Sequence, residues 1–323
     1  MKAPRGRRSW LVTVAVASMT IGSAEVMARL LEPLLPDPIL APTIESQIKL
    51  TQMESMSTNG ETAVVVIGSS VLEAGLDPAL IEARIGLGPV YNAALPFSTP
   101  LAMEVWARDF VIPFLHPDVV VIGVTPWPAQ STDQTDPLRY GLLQLNAISW
   151  RHRVATALES RSALFRLRSL PAEWDEAKAR QLTIDLSFWT ERGHQTGYYE
   201  GRISGQILPG DVSDQPLLSA DNERALERLL VWLRSQSVQT VVVIEPARCD
   251  VIEAACDADA RLGQDLERLR VTVENHGAGL IDMQAVTWSS ELFSDLIHPN
   301  RQGTIEFSQF FARRLTAVLD TSD

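Results

Sequence analysis

The chain has 323 residues, 46% of them hydrophobic and 21% charged, with a formal net charge of −12. That length suits one large α/β domain plus additions, and that composition excludes wholesale disorder. The acidic balance argues against nucleic acid as a partner, since binding it requires a basic footprint.

The four basic groups Lys2, Arg5, Arg7 and Arg8 stand at the amino terminus without an acid among them. Ser9 to Ala24 then carries no charge and is mostly apolar. Two readings follow for residues 1–31. Gly22-Ser23-Ala24 can serve as a small-residue cleavage site, which makes this a removable signal peptide and the protein secreted after cleavage near Ala24. Alternatively the segment is an uncleaved signal anchor. Sixteen residues give about 24 Å of helix, short of a hydrocarbon core of roughly 30 Å. Continuing through Val26, Met27, Ala28, Leu30 and Leu31 closes the gap, provided that Glu25 snorkels or finds a partner. The anchor is the preferred reading, and in both cases the bulk of the chain is extracytoplasmic. Residues 32–60, with Pro33, Pro36, Pro38 and Pro42, read as a linker.

From Glu61 strands and helices alternate. Strands are predicted at 63–67, 89–92, 119–124, 240–244 and 279–282. The first is an apolar run, Ala63-Val-Val-Val-Ile67, that stops at Gly68-Ser69-Ser70. Such a run reads as a buried parallel strand releasing a hydroxyl at its carboxyl end, where open α/β sheets bind ligands. Asp77-Pro78 starts a short helix that Gly86 ends. Leu226, Leu229, Leu230 and Leu233 mark one helix face; Leu262, Leu266, Leu269 and Val273 mark another, ended by Gly277. Phe307, Phe311, Leu315, Val318 and Leu319 mark the last helix. This alternation predicts a parallel sheet covered by helices on both faces.

One stretch, about 127–219, is far longer than a crossover needs and reads as an insertion. It is expected to be helical over about 142–170 and then irregular, with Phe188, Trp189, Tyr198 and Tyr199. Arg151, Arg153, Arg161, Arg166 and Arg168 gather there, either as a solvated helix face or as a contact for anionic polymer or lipid headgroups. Cys249 and Cys256 follow the fourth strand and suit either a local disulfide in an oxidising compartment or two free thiols. Two cysteines without a neighbouring histidine are too few ligands for a metal site.

The chemistry is carried by a conjunction. A strand-end serine, Ser70, is matched by Asp295-Leu-Ile-His298 just before the last helix. The carboxylate of Asp295 stands three residues from the imidazole of His298, close enough to orient it. Together these are the parts of a nucleophilic serine site, with the N–H of Ser70 available to a developing oxyanion. Asp282 reads as a loop-capping carboxylate. His116, His152, His194 and His276 read as ordinary surface or loop residues, and Trp127 as a pocket-lining residue. Asn92 reads as a turn residue and a spare oxyanion donor.

The arrangement resembles the SGNH (GDSL-like) hydrolase superfamily over about residues 61–320. Gly68-Ser69-Ser70 looks like its first block, Gly-Asp-Ser, with Ser69 in place of the aspartate. Asp295-Leu-Ile-His298-Pro-Asn looks like its last block, and Gly303 and the terminal amphipathic helix fit it too. The resemblance implies a flavodoxin-like α/β/α sandwich over residues 61–323, with a parallel five-stranded sheet and the insertion after the third strand. It also implies action on acyl esters without a cofactor or metal. The family's second block gives a glycine N–H to the oxyanion hole, and here Ala94 stands as its counterpart. Its third block gives an asparagine side chain, and here Thr125 takes that place. The chain further resembles a membrane-anchored extracytoplasmic branch acting on surface polysaccharides. This implies a serine esterase or O-acyltransferase with Ser70, Asp295 and His298 as catalytic triad. It would move an acyl group, acetyl foremost, on a carbohydrate or lipid, with a membrane-bound acyl-donor protein as a partner for transfer. The competing reading is a non-catalytic binding or assembly protein of the cell envelope on the same fold.

Overall fold

Five short strands organise the chain: β1 (Val64–Ile67), β2 (Val90–Asn92), β3 (Val119–Val124), β4 (Gln239–Ile244) and β5 (Gly279–Asp282). Three of them, β1, β3 and β4, are valine- and isoleucine-rich, and every residue of β1, β2 and β3 is buried, as expected of strands covered on both faces. All pairings are parallel, in the order β2-β1-β3-β4-β5. This is the flavodoxin-like order of a doubly wound sheet. The computed structural model of the protein describes residues 6–35, 43–57, 62–125, 136–146, 161–168, 170–171, 174, 188–197, 218–248, 260–295 and 297–320. Trp127, Arg151, His152, Arg153, Tyr198, Tyr199, Cys249 and Cys256 lie outside the described residues.

The chain divides into two compact units. The larger, Pro42–Leu143 with Leu186–Asp323, holds the sheet. On one face Val64, Val66, Val119, Val121, Val241 and Val243 pack with Leu72, Leu76, Ile81, Phe307, Phe311 and Leu315. The last three belong to the terminal helix, Arg301–Asp320, and recur at helical spacing. The helix Pro78–Ile85 begins at Asp77, whose side chain accepts from the Ala79 N–H, and stops at Gly86, whose φ of 66° suits the left-handed position. Pro100–Trp106 packs on Ala220–Ser235, joined by the carboxylate of Glu104 and the guanidinium of Arg228 at 2.6 Å. The sequence reading did not foresee Pro100–Trp106.

The stretch read as a linker contains a helix, Ile44–Ser57, with Ser46, Lys49 and Met53 buried in the larger unit. Its periodicity is masked because one of its inward residues is a lysine. After β3 the insertion contributes a helix at Pro137–Asn146, a short one at Ala163–Arg166 and an antiparallel bridge between Trp189 and Gln195.

The smaller unit joins Met1–Ala41 to Gln144–Asp185. Its main element is the helix Gly6–Leu31, which with the 3₁₀ turn Glu32–Leu34 gives a stretch, Val12–Leu34, long and apolar enough to cross a membrane. The carboxylate of Glu25 accepts from the Ser162 hydroxyl at 2.7 Å and from the Ala163 and Leu164 N–H groups at 2.9 and 3.1 Å. Arg29 donates to the Arg161 carbonyl, and Arg166 forms a two-pronged pair with Glu32 at 2.6 and 2.8 Å. Of the arginines read as a solvated face or as a contact for anionic polymer or lipid, Arg166 is thus paired with Glu32.

Candidate active site

The turn after β1 puts the serine hydroxyl in place. Ser69 caps the helix Ser70–Gly75: its hydroxyl accepts from the Val71 N–H at 3.1 Å and its carbonyl from the Glu73 N–H at 3.0 Å. Ser70 is the first helical residue, so its N–H falls outside the helix's own bonding ladder. β1 leads to β2 on one side and pairs with β3 on the other, so the strand order reverses here. A crevice at the carboxyl ends of the strands is expected at such a point.

The second part comes from the turn before the terminal helix. His298 Nε2 lies 2.9 Å from Ser70 Oγ, and His298 Nδ1 lies 2.7 Å from Asp295 Oδ2. The other carboxylate oxygen of Asp295 accepts the main-chain N–H groups of Ile297 at 2.9 Å and His298 at 2.7 Å. One side chain therefore shapes the turn and orients the ring it carries. Burial alone would raise the Asp295 carboxyl, but these hydrogen bonds and the His298 charge outweigh it and hold the group below the ordinary aspartate value. With Nδ1 donating to Asp295, Nε2 presents a lone pair to the Ser70 hydroxyl. The terminal helix is capped by Asn300, whose side-chain oxygen accepts the Gly303 N–H at 3.0 Å. A Cβ at Gly303 would sit 2.0 Å from the Leu292 carbonyl oxygen, so glycine is required for this close approach.

The loop after β2 is arranged differently from expectation. The Ala94 N–H donates to Asn92 Oδ1 at 3.2 Å, while the Ala93 and Leu95 N–H groups donate to the Val66 and Gly68 carbonyls at 2.7 and 3.0 Å. The amide of Asn92 is turned inward onto the Leu72 and Leu76 carbonyls at 2.8 and 2.9 Å. Asn92 is thus a clamp on the end of the nucleophile-bearing helix, not a spare donor. Three residues beyond Ala94, Phe97 takes φ 57° and is 90% exposed. That left-handed conformation is the one glycine adopts freely, and an aromatic residue there carries no sequence signal for it. On the other flank Ile67 pairs with Ile122, so Ser70 and Thr125 stand three residues beyond matched positions of adjacent strands.

Behind the nucleophile lies a polar cluster that no motif announces. Glu73 pairs with Lys49 at 3.2 Å, both buried, and Lys49 also donates to the Asn92 and Gly193 carbonyls at 2.8 and 2.7 Å. Burial lowers the Lys49 ammonium and raises the Glu73 carboxyl, with their mutual attraction opposing both shifts. His194 is buried rather than superficial, with its Nε2 3.1 Å from the Ala74 carbonyl oxygen. Asp282 caps the turn after β5 and pairs with Arg270 at 2.5 Å. Among the described residues no three His, Cys, Asp or Glu side chains gather as metal ligands.

No protein-family model and no curated protein matches the chain. Several solved structures are similar at low identity. A GDSL-like lipase from Bacteroides thetaiotaomicron VPI-5482 is 8% identical with a TM-score of 0.41, over 85% of this chain and 99% of that one. A structure described as a lipolytic protein of the G-D-S-L family, from Desulfitobacterium hafniense DCB-2, is 10% identical with a TM-score of 0.39, over 78% and 99%. A carbohydrate esterase family 2 enzyme with a carbohydrate binding domain, from Corynascus thermopiles (Myceliophthora fergusii), is 13% identical with a TM-score of 0.41, over 81% and 67%.

Proposed function

We propose that this chain is an extracytoplasmic serine ester enzyme that hydrolyses or transfers an acyl group, acetyl foremost, on a carbohydrate or lipid. One observation carries the reading: Ser70 Oγ, His298 and Asp295 stand in line at 2.9 and 2.7 Å. In the reaction Ser70 Oγ attacks the acyl carbonyl while its proton passes to His298 Nε2. Asp295 stabilises the imidazolium so formed. The tetrahedral intermediate collapses, the ester C–O bond breaks, and the leaving alcohol takes the proton from His298. Water or a sugar hydroxyl then attacks the acyl-enzyme, with His298 as base, and restores Ser70.

The oxyanion of the intermediate needs donors. The Ser70 N–H and the Thr125 hydroxyl are two. With the Ala94 N–H committed to Asn92, the loop's contribution is assigned to the N–H of Phe97, whose left-handed backbone supplies the bend. The full-length protein in detergent, treated with a fluorophosphonate and given a chromogenic acetyl ester, tests the reading. Adduct at Ser70 and Ser70-dependent turnover are expected. Absence of both, with and without a carbohydrate acceptor, would favour the non-catalytic envelope protein.

The amino-terminal helix is read as a retained anchor. An apolar span through Val12–Leu34 requires a partner for Glu25, and Ser162, Ala163 and Leu164 supply three hydrogen bonds to it. Full-length protein in the membrane fraction, resistant to carbonate extraction, is the expected result. A soluble product beginning near Glu25 would overturn it.

A further inference from the structure

Glu245 follows β4 and its side chain is fully buried, yet the chemistry above leaves it unused. Both of its oxygens are spent on Ser69. Oε1 accepts the Ser69 N–H at 3.0 Å and Oε2 accepts the Ser69 hydroxyl at 2.6 Å. Room is made for it by two missing side chains. A Cβ on Gly123 would stand 2.5 Å from Oε1, and one on Gly68 would stand 3.0 Å from the same atom.

A hydroxyl has one proton to give. With Glu245 ionised, the Ser69 proton points at Oε2, and a lone pair is left to receive the Val71 N–H. With Glu245 protonated on Oε2, its own O–H donates to Ser69 Oγ beside the Val71 N–H and fills both lone pairs, while the Ser69 proton must turn elsewhere. The state of one buried carboxyl therefore decides how the residue preceding the nucleophile is held.

We propose that Glu245 is a positioning residue for the serine ester site: its ionised carboxylate fixes the Ser69 hydroxyl and main chain, and through them aims the Oγ and N–H of Ser70. The inference rests on the ester-enzyme reading above. Around the carboxyl stand Gly68, Ser69 and Leu72 from the β1 turn and Gly123 from β3. Gln284 donates to its main-chain carbonyl, and the charged group acting on it is His298. Burial pushes the carboxyl up to about 7, against the pull of the Ser69 hydrogen bonds and of His298. Reciprocally, the anion favours the imidazolium formed when Ser70 gives up its proton. Activity then requires Glu245 deprotonated, which puts its ionisation at about 7 on the acid limb of the rate.

The test is the rate of Ser70 phosphonylation by a fluorophosphonate between pH 5 and 9, with kcat and KM on an acetyl ester, using full-length protein in detergent. The wild type is expected to show the Glu245 ionisation, at about pH 7, on the acid limb. Glu245→Gln is expected to lose about 10- to 100-fold in labelling rate and kcat through misplacement of the nucleophile, with KM little changed. Its acid limb should lose that ionisation. A Glu245→Gln protein that keeps the wild-type rate, or loses rate but keeps the ionisation at about pH 7, overturns the inference alone. Absence of wild-type labelling at every pH overturns the ester reading and this inference with it. If Glu245→Gln does not fold, Ser69→Ala carries the test, because it unties the hydroxyl and leaves the carboxyl in place. A similar loss is expected, and unchanged labelling overturns the proposal.

Discussion

Lys49 and Glu73 meet at 3.2 Å with neither side chain reaching solvent. One sits on a helix inside a stretch that reads as linker, and the other lies one turn beyond Ser70 on the helix Ser70–Gly75. The segment preceding the domain is thus stitched to the nucleophile's own support. Removing one partner of such a pair leaves an uncompensated buried charge, which costs about 3–5 kcal/mol. Lys49→Met is expected to lower the urea midpoint accordingly. Adding Glu73→Leu should recover most of the loss, and a double variant no better than Lys49→Met would refute the pairing argument.

Asp295→Asn tests the carboxylate that shapes the catalytic turn. An amide cannot hold the imidazole in the same tautomer, and a loss of about 10⁴ in kcat is known for the corresponding change in a serine protease triad. A loss on the order of 10³–10⁴ is expected here on an activated acetyl ester. The same variant has a stability signature. The wild-type carboxyl is held below its ordinary value, so the stability it contributes is complete above that ordinary value. That contribution is lost as the pH falls through the lowered one. Asp295→Asn should flatten the acid side of the stability curve, measured by chemical unfolding between pH 2 and 5.

Phe97 holds a left-handed backbone that costs a non-glycine residue about 1–2 kcal/mol. Phe97→Gly should keep the loop's shape and raise thermal stability slightly, the relief being partly offset by the greater freedom of glycine when unfolded. Phe97→Val should lower both stability and kcat, since a β-branched residue tolerates this conformation least. Equal rates for the glycine and valine variants would remove Phe97 from the oxyanion site.

Thr125 is expected to give one donor to the developing oxyanion. Thr125→Ala should cost about 10- to 100-fold in kcat with little change in KM, and Thr125→Ser should retain most of the rate. A Thr125→Ala enzyme at full rate would place the third donor elsewhere.

Much of the sheet was legible because its signal is local. Runs such as Val64–Ile67 and residues 119–122 are β-branched throughout, and the observed strands fall within a residue of the positions read from the chain. The terminal helix was legible for the same reason, its phenylalanines and leucines recurring at helical spacing. Ile44–Ser57 was missed because it faces the protein with Ser46 and Lys49 as well as Met53, a pattern that hydrophobic periodicity does not register.

At the site, Ser70, Asp295 and His298 could be named as candidates from residue type and from the position of each at an element boundary. Their distances could not, because Ser70 and His298 are separated by 228 positions and meet only when β1 and the terminal helix pack on one core. Ala94 is the counterpart that the family resemblance implies for the second-block glycine; its N–H donates to Asn92, and which amide a tight loop exposes depends on every bond made around it. Glu245 was not singled out at all. An isolated glutamate after a strand carries no motif, and its importance arises from contact with Ser69 across 176 positions. Local chemistry along the chain thus determined the strands, the caps and the reactive groups on offer. Packing decided which of those groups touch and which are buried, because both depend on distances between segments that are remote in sequence.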